Sequence, residues 1–348
     1  MTNLVAIVRV EESNIQEGLW KAIDLVGGFN PAKGSKVVIK PNLCTARKNS
    51  DSGVTVDVRI VEALIQYIQA KTKCEIVIAE ADSDRSADEA FRRLGYKELE
   101  AKYGVKLVNL SKDNIYKLIL NGKKLSVLEI PETLLLADYL ISVAKIKRHV
   151  HERFTGIWKN QYGLIPDKST RVTLHPFLSE VLYDLNTICT PDIAILEGLV
   201  GLEGPGPIEG YPKHIGKIIC SKNPLSADVV ACKLIGERPI KIPSIKYAIK
   251  HGWKDATDIM IIGDVDEFNV ELNFISSFNY YLYRIGLWLR RIGHYLTNIG
   301  RLTAYMSYAL RSFTATELME GKILPPITML KIAKQTVFKI EACQKITD

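Results

Sequence analysis

Short apolar runs alternate with stretches of helical periodicity along most of the chain. Strand-like runs stand at Leu4–Val8, Val37–Ile39, Glu75–Ala79, Lys106–Val108, Tyr139–Val143, Ile193–Leu196, Lys217–Cys220 and Asp258–Ile262. Between them, Ile15, Leu19, Ile23 and Val26 fall on one helical face that stops at Gly27-Gly28, and Val58, Val61, Leu64, Ile65 and Ile68 fall on another. Ser86 caps a third helix that ends at Gly95, and Ser226–Ile235 starts after Pro224 and stops at Gly236. This alternation predicts an α/β protein with mostly parallel sheet and flanking helices. A turn-rich patch at Ile130–Pro131 and a change of texture near Asp264–Asn273 divide the chain into an α/β half at 1–135, a second at 136–268 and a helical tail at 269–348.

The tail has its own pattern. From Tyr281 the sequence reads YLYRIGL, WLRRIGH, YLTNIGR, a seven-residue repeat with an Ile-Gly pair in register three times. Leu282, Ile285, Leu289, Ile292, Leu296 and Ile299 form a stripe on one helix face, joined by Tyr281, Trp288, Tyr295 and Tyr305. Such a helix suits a membrane surface or self-association through residues 276–313; a cap packed on the protein's own core is the alternative.

Charge sharpens this division. The formal charge is +7, and residues 276–313 supply five arginines (Arg284, Arg290, Arg291, Arg301, Arg311) and no acid, leaving about +2 for the rest. The body therefore lacks the general basic surface that nucleic-acid binding requires. No run of about 18 uncharged apolar residues predicts a spanning helix, and the amino-terminal run lacks the pattern of a signal peptide. The six cysteines (Cys44, Cys74, Cys189, Cys220, Cys232, Cys343) form no C-x-x-C pair, as expected of packing residues in a reducing cytosol. The expected location is cytoplasmic, or peripheral on the cytoplasmic membrane face.

In open α/β sheets ligands bind outside the carboxyl ends of the strands, so the residues after each strand enumerate a candidate site. Lys40 and Asn42 follow the second run, Glu80 the third, Lys145, Lys147 and His149 the run at Tyr139, and Glu197 the next. Lys145–His175 holds three of the six histidines, His149, His151 and His175, with Lys159 and Asn160 between them. Imidazoles suit acid/base work near neutral pH and also bind zinc, iron or nickel. A basic anion-binding loop with incidental histidines is the alternative. Glu197, just before the Gly/Pro-rich interval 198–214, and Glu203 within it either orient a lysine, bind a cation or belong to a plain surface loop. Glu80, Asp82, Asp84 and Asp88 are either a hard-cation site or a solvated acidic run. Asp228, early in a helix, suits a structural role at the helix dipole. No G-x-G-x-x-G joins a strand to a helix, so no dinucleotide fingerprint exists.

The segments VVIKPNL, KIKRH, TGIWKNQYGLIP, His175, DIAILEGLVGLEGPGPIEG and SKNPLSADVVACKLIG resemble the family called domain of unknown function 362, over residues 36 to 263. The resemblance implies an α/β fold and leaves the activity unassigned. Many members carry a ferredoxin-like insertion with four-cysteine runs; this chain has none, so no intrinsic iron–sulfur cluster is expected, and any electron donor would be a separate protein. A second similarity, over fewer residues, is to the nickel-pincer lactate racemase. His149 stands ten residues before Lys159, and His175 sixteen after it. That similarity implies Lys159 as the cofactor attachment residue, His175 as a nickel ligand and His149 as an acid/base. The resulting expectation is an enzyme, racemase/epimerase-like or an oxidoreductase, acting on a small anionic substrate such as a hydroxy acid. His149, Lys159 and His175 would transfer a proton or hydride, with or without a metal or pincer cofactor (nickel, iron or zinc). Lys40, Asn42, Lys145, Lys147 and Asn160 would bind the substrate. The rival is a membrane-peripheral anion-binding or redox-accessory protein without turnover.

Overall fold

A computed structural model describes residues 2–265 and 270–295. Residues 1–275 form one compact unit and 276–348 a second. In the first unit the elements run, in chain order, β1 (Asn3–Arg9), α1 (Ile15–Leu25), β2 (Lys36–Pro41), α2 (Val58–Lys71), β3 (Glu75–Glu80), α3 (Ala87–Arg93), α4 (Tyr96–Tyr103) and β4 (Lys106–Asn109). Then come β5 (Ile115–Ile119), β6 (Val127–Pro131), α5 (Glu132–Leu135), β7 (Tyr139–His149), β8 (Arg153–Thr155), α6 (Ile157–Asn160), α7 (Lys168–Leu174) and α8 (Leu178–Ile188). The unit finishes with β9 (Ile193–Glu203), β10 (Tyr211–Ser221), α9 (Pro224–Leu234), α10 (Pro243–Lys250) and β11 (Ile259–Gly263).

Nine strands make one mixed, mostly parallel sheet in the order β11-β1-β10-β9-β7-β2-β3-β4, with β8 folded back on β7. The boundary expected near residue 135 does not divide the sheet, because β7 pairs in parallel with β2 on one side and β9 on the other. Strand alternation sorts the core. Ala6, Val8, Val37, Ile39, Ile141 and Val143 face α1 and α2, whereas Val5, Ile7, Ala144, Ile146, Ala194 and Leu196 face α6, α8, α9 and α10. Both faces are thus covered, which explains why the strands read as near-continuous apolar runs.

Local structure departs from a plain reading of the sequence pattern in three places. The interval 198–214 is not a long loop: β9 and β10 pair antiparallel from Ala194↔Ser221 out to Glu203↔Tyr211. Its glycines answer to packing, since a Cβ on Gly201 would collide with Ile215 Cδ1. Ile130–Pro131 belongs to β6, which pairs with β5 in a separate hairpin. His149 and His151 do not share a strand, because β7 ends at His149 and the chain turns.

The second unit contributes α11 (Ser277–Tyr295), nineteen residues without an acid. Tyr281 and Trp288 are 70% and 61% exposed, and Leu282, Ile285, Leu289 and Ile292 are also exposed. The rest of the heptad pattern, from Leu296 through Ile299, Arg301, Tyr305 and Arg311, lies outside the described residues, as does Cys343.

Candidate functional site

The strand ends β9, β7, β2 and β3 lie side by side, and their carboxyl edges gather a buried polar network. Lys40 Nζ, at the end of β2, donates to Glu80 Oε1 at 2.8 Å and to Asn160 Oδ1 at 3.3 Å. Glu80 also accepts from the backbone N–H groups of Leu43 and Ala81. Burial pulls the Lys40 ammonium below its usual pKa, opposed by Glu80 and assisted by the nearby Arg171 charge. Gly163 presses on this pair: a Cβ there would sit 2.8 Å from both Lys40 Nζ and Glu80 Oε1. A glycine in TGIWKNQYGLIP is therefore required by close approach.

One strand over, Lys145 Nζ donates to Glu197 Oε2 at 2.6 Å, with the side chains 1% and 0% exposed. Lys147, the next residue on that face, donates to Asn42 Oδ1 (2.8 Å), Val54 O (2.8 Å) and Cys44 Sγ (3.2 Å). Asn42 continues the network by donating to Asn160 Oδ1 at 3.4 Å. The loop supplying Val54 is held on β9 through Gly53, whose φ of +73° suits glycine and whose Cβ would collide with the Gly201 carbonyl.

Lys40, Asn42, Lys145, Lys147, Asn160, Glu80 and Glu197 are thus brought together, but the lysines differ from expectation. All three point inward, and Lys40 and Lys145 each have a glutamate, so neither presents a spare charge to a substrate. Lys147 is 2% exposed yet has no carboxylate within ion-pair distance among the described residues. Its charge is shared with half-buried Asn42 and Cys44.

The histidines form a second cluster. His149 Nδ1 accepts from the backbone N–H of His151 (3.0 Å) and Glu152 (3.2 Å), which pins the turn after β7 and places the neutral ring's proton on Nε2. The His151 ring lies 5.7 Å from His149 and 5.4 Å from His175, centre to centre. Tyr162 then stands 6.0 Å from the His175 ring and 6.0 Å from Lys159 Nζ. His149, Lys159 and His175 are therefore joined through two residues the expectation left unassigned, His151 and Tyr162. His151 was within reach of the sequence, since it stands two residues from His149; Tyr162 carried no signal.

Asp228 anchors the intervening segment. Its carboxylate accepts from the N–H groups of Ile157 (2.8 Å) and Trp158 (2.9 Å), the opening of α6, and burial raises its pKa to about 7. A Cβ on Gly156 would collide with its Oδ1. Asp228 thus works at the amino end of another helix rather than its own.

Other acids are spoken for. Asp84 pairs with Arg47, Asp88 with Lys112, and Asp82 accepts from Asn109 and Ala87. Glu203 accepts from the backbone of Asn273 and sits 3.7 Å from Lys213, apart from the network above. Among the described residues no group of three or more His, Cys, Asp or Glu side chains is disposed to hold a metal ion. His149 Nδ1, facing two backbone donors, is already committed.

The model of the family described as Domain of unknown function (DUF362) matches residues 37–233, which span this whole network. The thylakoid-associated protein sll1697 of Synechocystis sp. is 24% identical over 257 residues, covering 70% of this chain and 78% of that protein. Among solved structures, the lactate racemase apoprotein from Thermoanaerobacterium thermosaccharolyticum matches at a TM-score of 0.44 and 13% identity. That match covers 67% of this chain but only 57% of the racemase chain. No helix among the described residues is long and apolar enough to cross a membrane.

Proposed function

The chain belongs to the family described as Domain of unknown function (DUF362), and we propose that it is an enzyme that moves a proton on a small anionic substrate. The observation that carries the reading is Lys147. A buried ammonium without a carboxylate is costly, and an anion bound over Asn42 and Cys44 would compensate it. Lys159 supplies a second, half-buried cation. His151 and His175 offer imidazoles in near contact, suited to accepting and returning a proton, with the Nε2–H of His149 a donor beside them. Lys40–Glu80 and Lys145–Glu197 hold the strand ends that position these groups.

The test uses deuterium exchange. Full-length protein is incubated in deuterium oxide with a panel of 2-hydroxy and 2-oxo carboxylates, and label at the α carbon is read by NMR. At least one acid should incorporate deuterium, and Lys159→Gln or His175→Gln should slow that exchange. No exchange in any acid, together with no binding of carboxylates, sinks the proposal.

A second reading is favoured by α11. Its exposed apolar stripe with interleaved arginines is the composition of an interfacial helix, and a relative carries a thylakoid association in its name. On this reading α11 holds the protein at a membrane surface.

A further inference from the structure

A cleft of about 870 Å³ is lined by Arg47, Lys48, Asn49, Ser52, Arg92 and Arg93 together with Gly210. Four cations and no acid line it. We propose that this cleft is a binding site for a small phosphate-bearing ligand, separate from the His/Lys cluster and independent of the reaction proposed there.

Three features support a phosphate. Guanidinium groups present paired N–H donors that match phosphate oxygens, and three of the four cations are arginines. The volume is large enough for a small molecule, in a cleft that lies broadly open to solvent. The cations are also available. Arg92 is exposed and has no ion pair among the described residues, and the pairs of Arg93 with Glu89, Lys48 with Glu209 and Arg47 with Asp84 are all partly exposed. The single exposed pairs of Arg93 and Lys48 are weak, so a multiply charged ligand can bind Arg92 and displace those two carboxylates, whereas Arg47, forked onto Asp84 by two hydrogen bonds, contributes a fixed charge. Arg92 and Arg93 sit in the last turn of α3, whereas Arg47 and Lys48 come from the β2–α2 connection. A bound anion would therefore bridge two segments that converge on one space.

The connection also carries Asn42 and Cys44, which face Lys147 at its other end. One loop thus serves both places.

The experiment is isothermal titration of the full-length protein with pyrophosphate, at low salt and again at higher salt. Malonate serves as a dicarboxylate control and anionic vesicles as a separate arm. Saturable pyrophosphate binding is expected, weakened about tenfold or more in the double variant Arg92→Gln/Arg93→Gln, a loss on the order of 1.4 kcal/mol. Glu89→Gln, which releases Arg93, should tighten it. Circular dichroism checks that both variants stay folded. Pyrophosphate affinity unchanged in the double variant, malonate bound as tightly, binding to vesicles alone, or no saturable binding each overturns the proposal.

Discussion

Lys40 Nζ lies 2.8 Å from Glu80 Oε1, and the two side chains, 1% and 6% exposed, stand at the ends of neighbouring parallel strands. Removing one partner strands the other in a nearly dry site. Lys40→Met should therefore destabilise by about 3–5 kcal/mol, whereas Lys40→Met/Glu80→Leu should recover most of that loss. Denaturant unfolding of the single and double variants measures it. Additive losses would show that the pair is not coupled as the geometry requires.

Gly163→Ala should add to the strain on the same pair. Its Cβ would approach Glu80 Oε1 and Lys40 Nζ at 2.8 Å, and neither side chain has free space to retreat into. A loss on the order of 1–3 kcal/mol is expected, as for overpacking in general. A thermal midpoint unchanged from wild type contradicts it.

Lys147 predicts the opposite behaviour. With no carboxylate to leave behind, Lys147→Met should cost about 1–2 kcal/mol for its lost hydrogen bonds, well short of the cost at Lys40. Binding of small carboxylates should weaken in the same variant. A cost equal to that of Lys40→Met would mean an unrecognised counter-charge.

How much of this was legible beforehand follows from where the information lies. Lys40, Asn42, Glu80, Lys145 and Glu197 stand directly after apolar runs, so the strand-end rule found them from local pattern alone. Their partners were not legible, because Lys40–Glu80 and Lys145–Glu197 follow from the sheet order β9-β7-β2-β3, and order is a long-range property. The direction of Lys40 and Lys145 was hidden for the same reason: a residue at a strand end can face solvent or the next strand's acid. The hairpin at Glu203 and Tyr211 was hidden by glycines that read as loop signals but serve close packing. Asp228 read as a carboxylate at the dipole of its own helix, and only the fold brings α6 to it.

Asp228 also makes stability pH-dependent. Its folded pKa, raised by burial to about 7, lies above the unfolded value of 3.8, so the folded state holds the proton more tightly. The contribution is full below the unfolded value and is lost as pH rises through the folded one, at up to about 1.4 kcal/mol per pH unit. Stability measured from pH 4 to pH 8 should therefore carry a falling component that is absent in Asp228→Asn. The amide of that variant would also point a donor at one of the two N–H groups, so the variant should be less stable at pH 5. Parallel pH profiles for the two proteins would remove the assignment.

The last prediction concerns α11. Its apolar stripe is exposed along Tyr281, Leu282, Ile285, Trp288, Leu289 and Ile292, and the helix carries arginines but no acid. An interfacial helix of this kind binds anionic lipid through buried apolar area plus charge, and each arginine near the surface contributes about 1 kcal/mol. Full-length protein should therefore cosediment with vesicles rich in phosphatidylglycerol and much less with neutral ones. Salt should weaken the interaction without abolishing it, because the apolar part is not screened. Ile285→Glu/Leu289→Glu should remove binding at all salt concentrations, whereas Arg284→Gln/Arg291→Gln should remove mainly the salt-sensitive part. If the full chain ignores both vesicle types while remaining monomeric by light scattering, the stripe serves neither a membrane nor a second copy. If the glutamate variant also unfolds the α/β unit, the helix is instead a cap on the protein's own core.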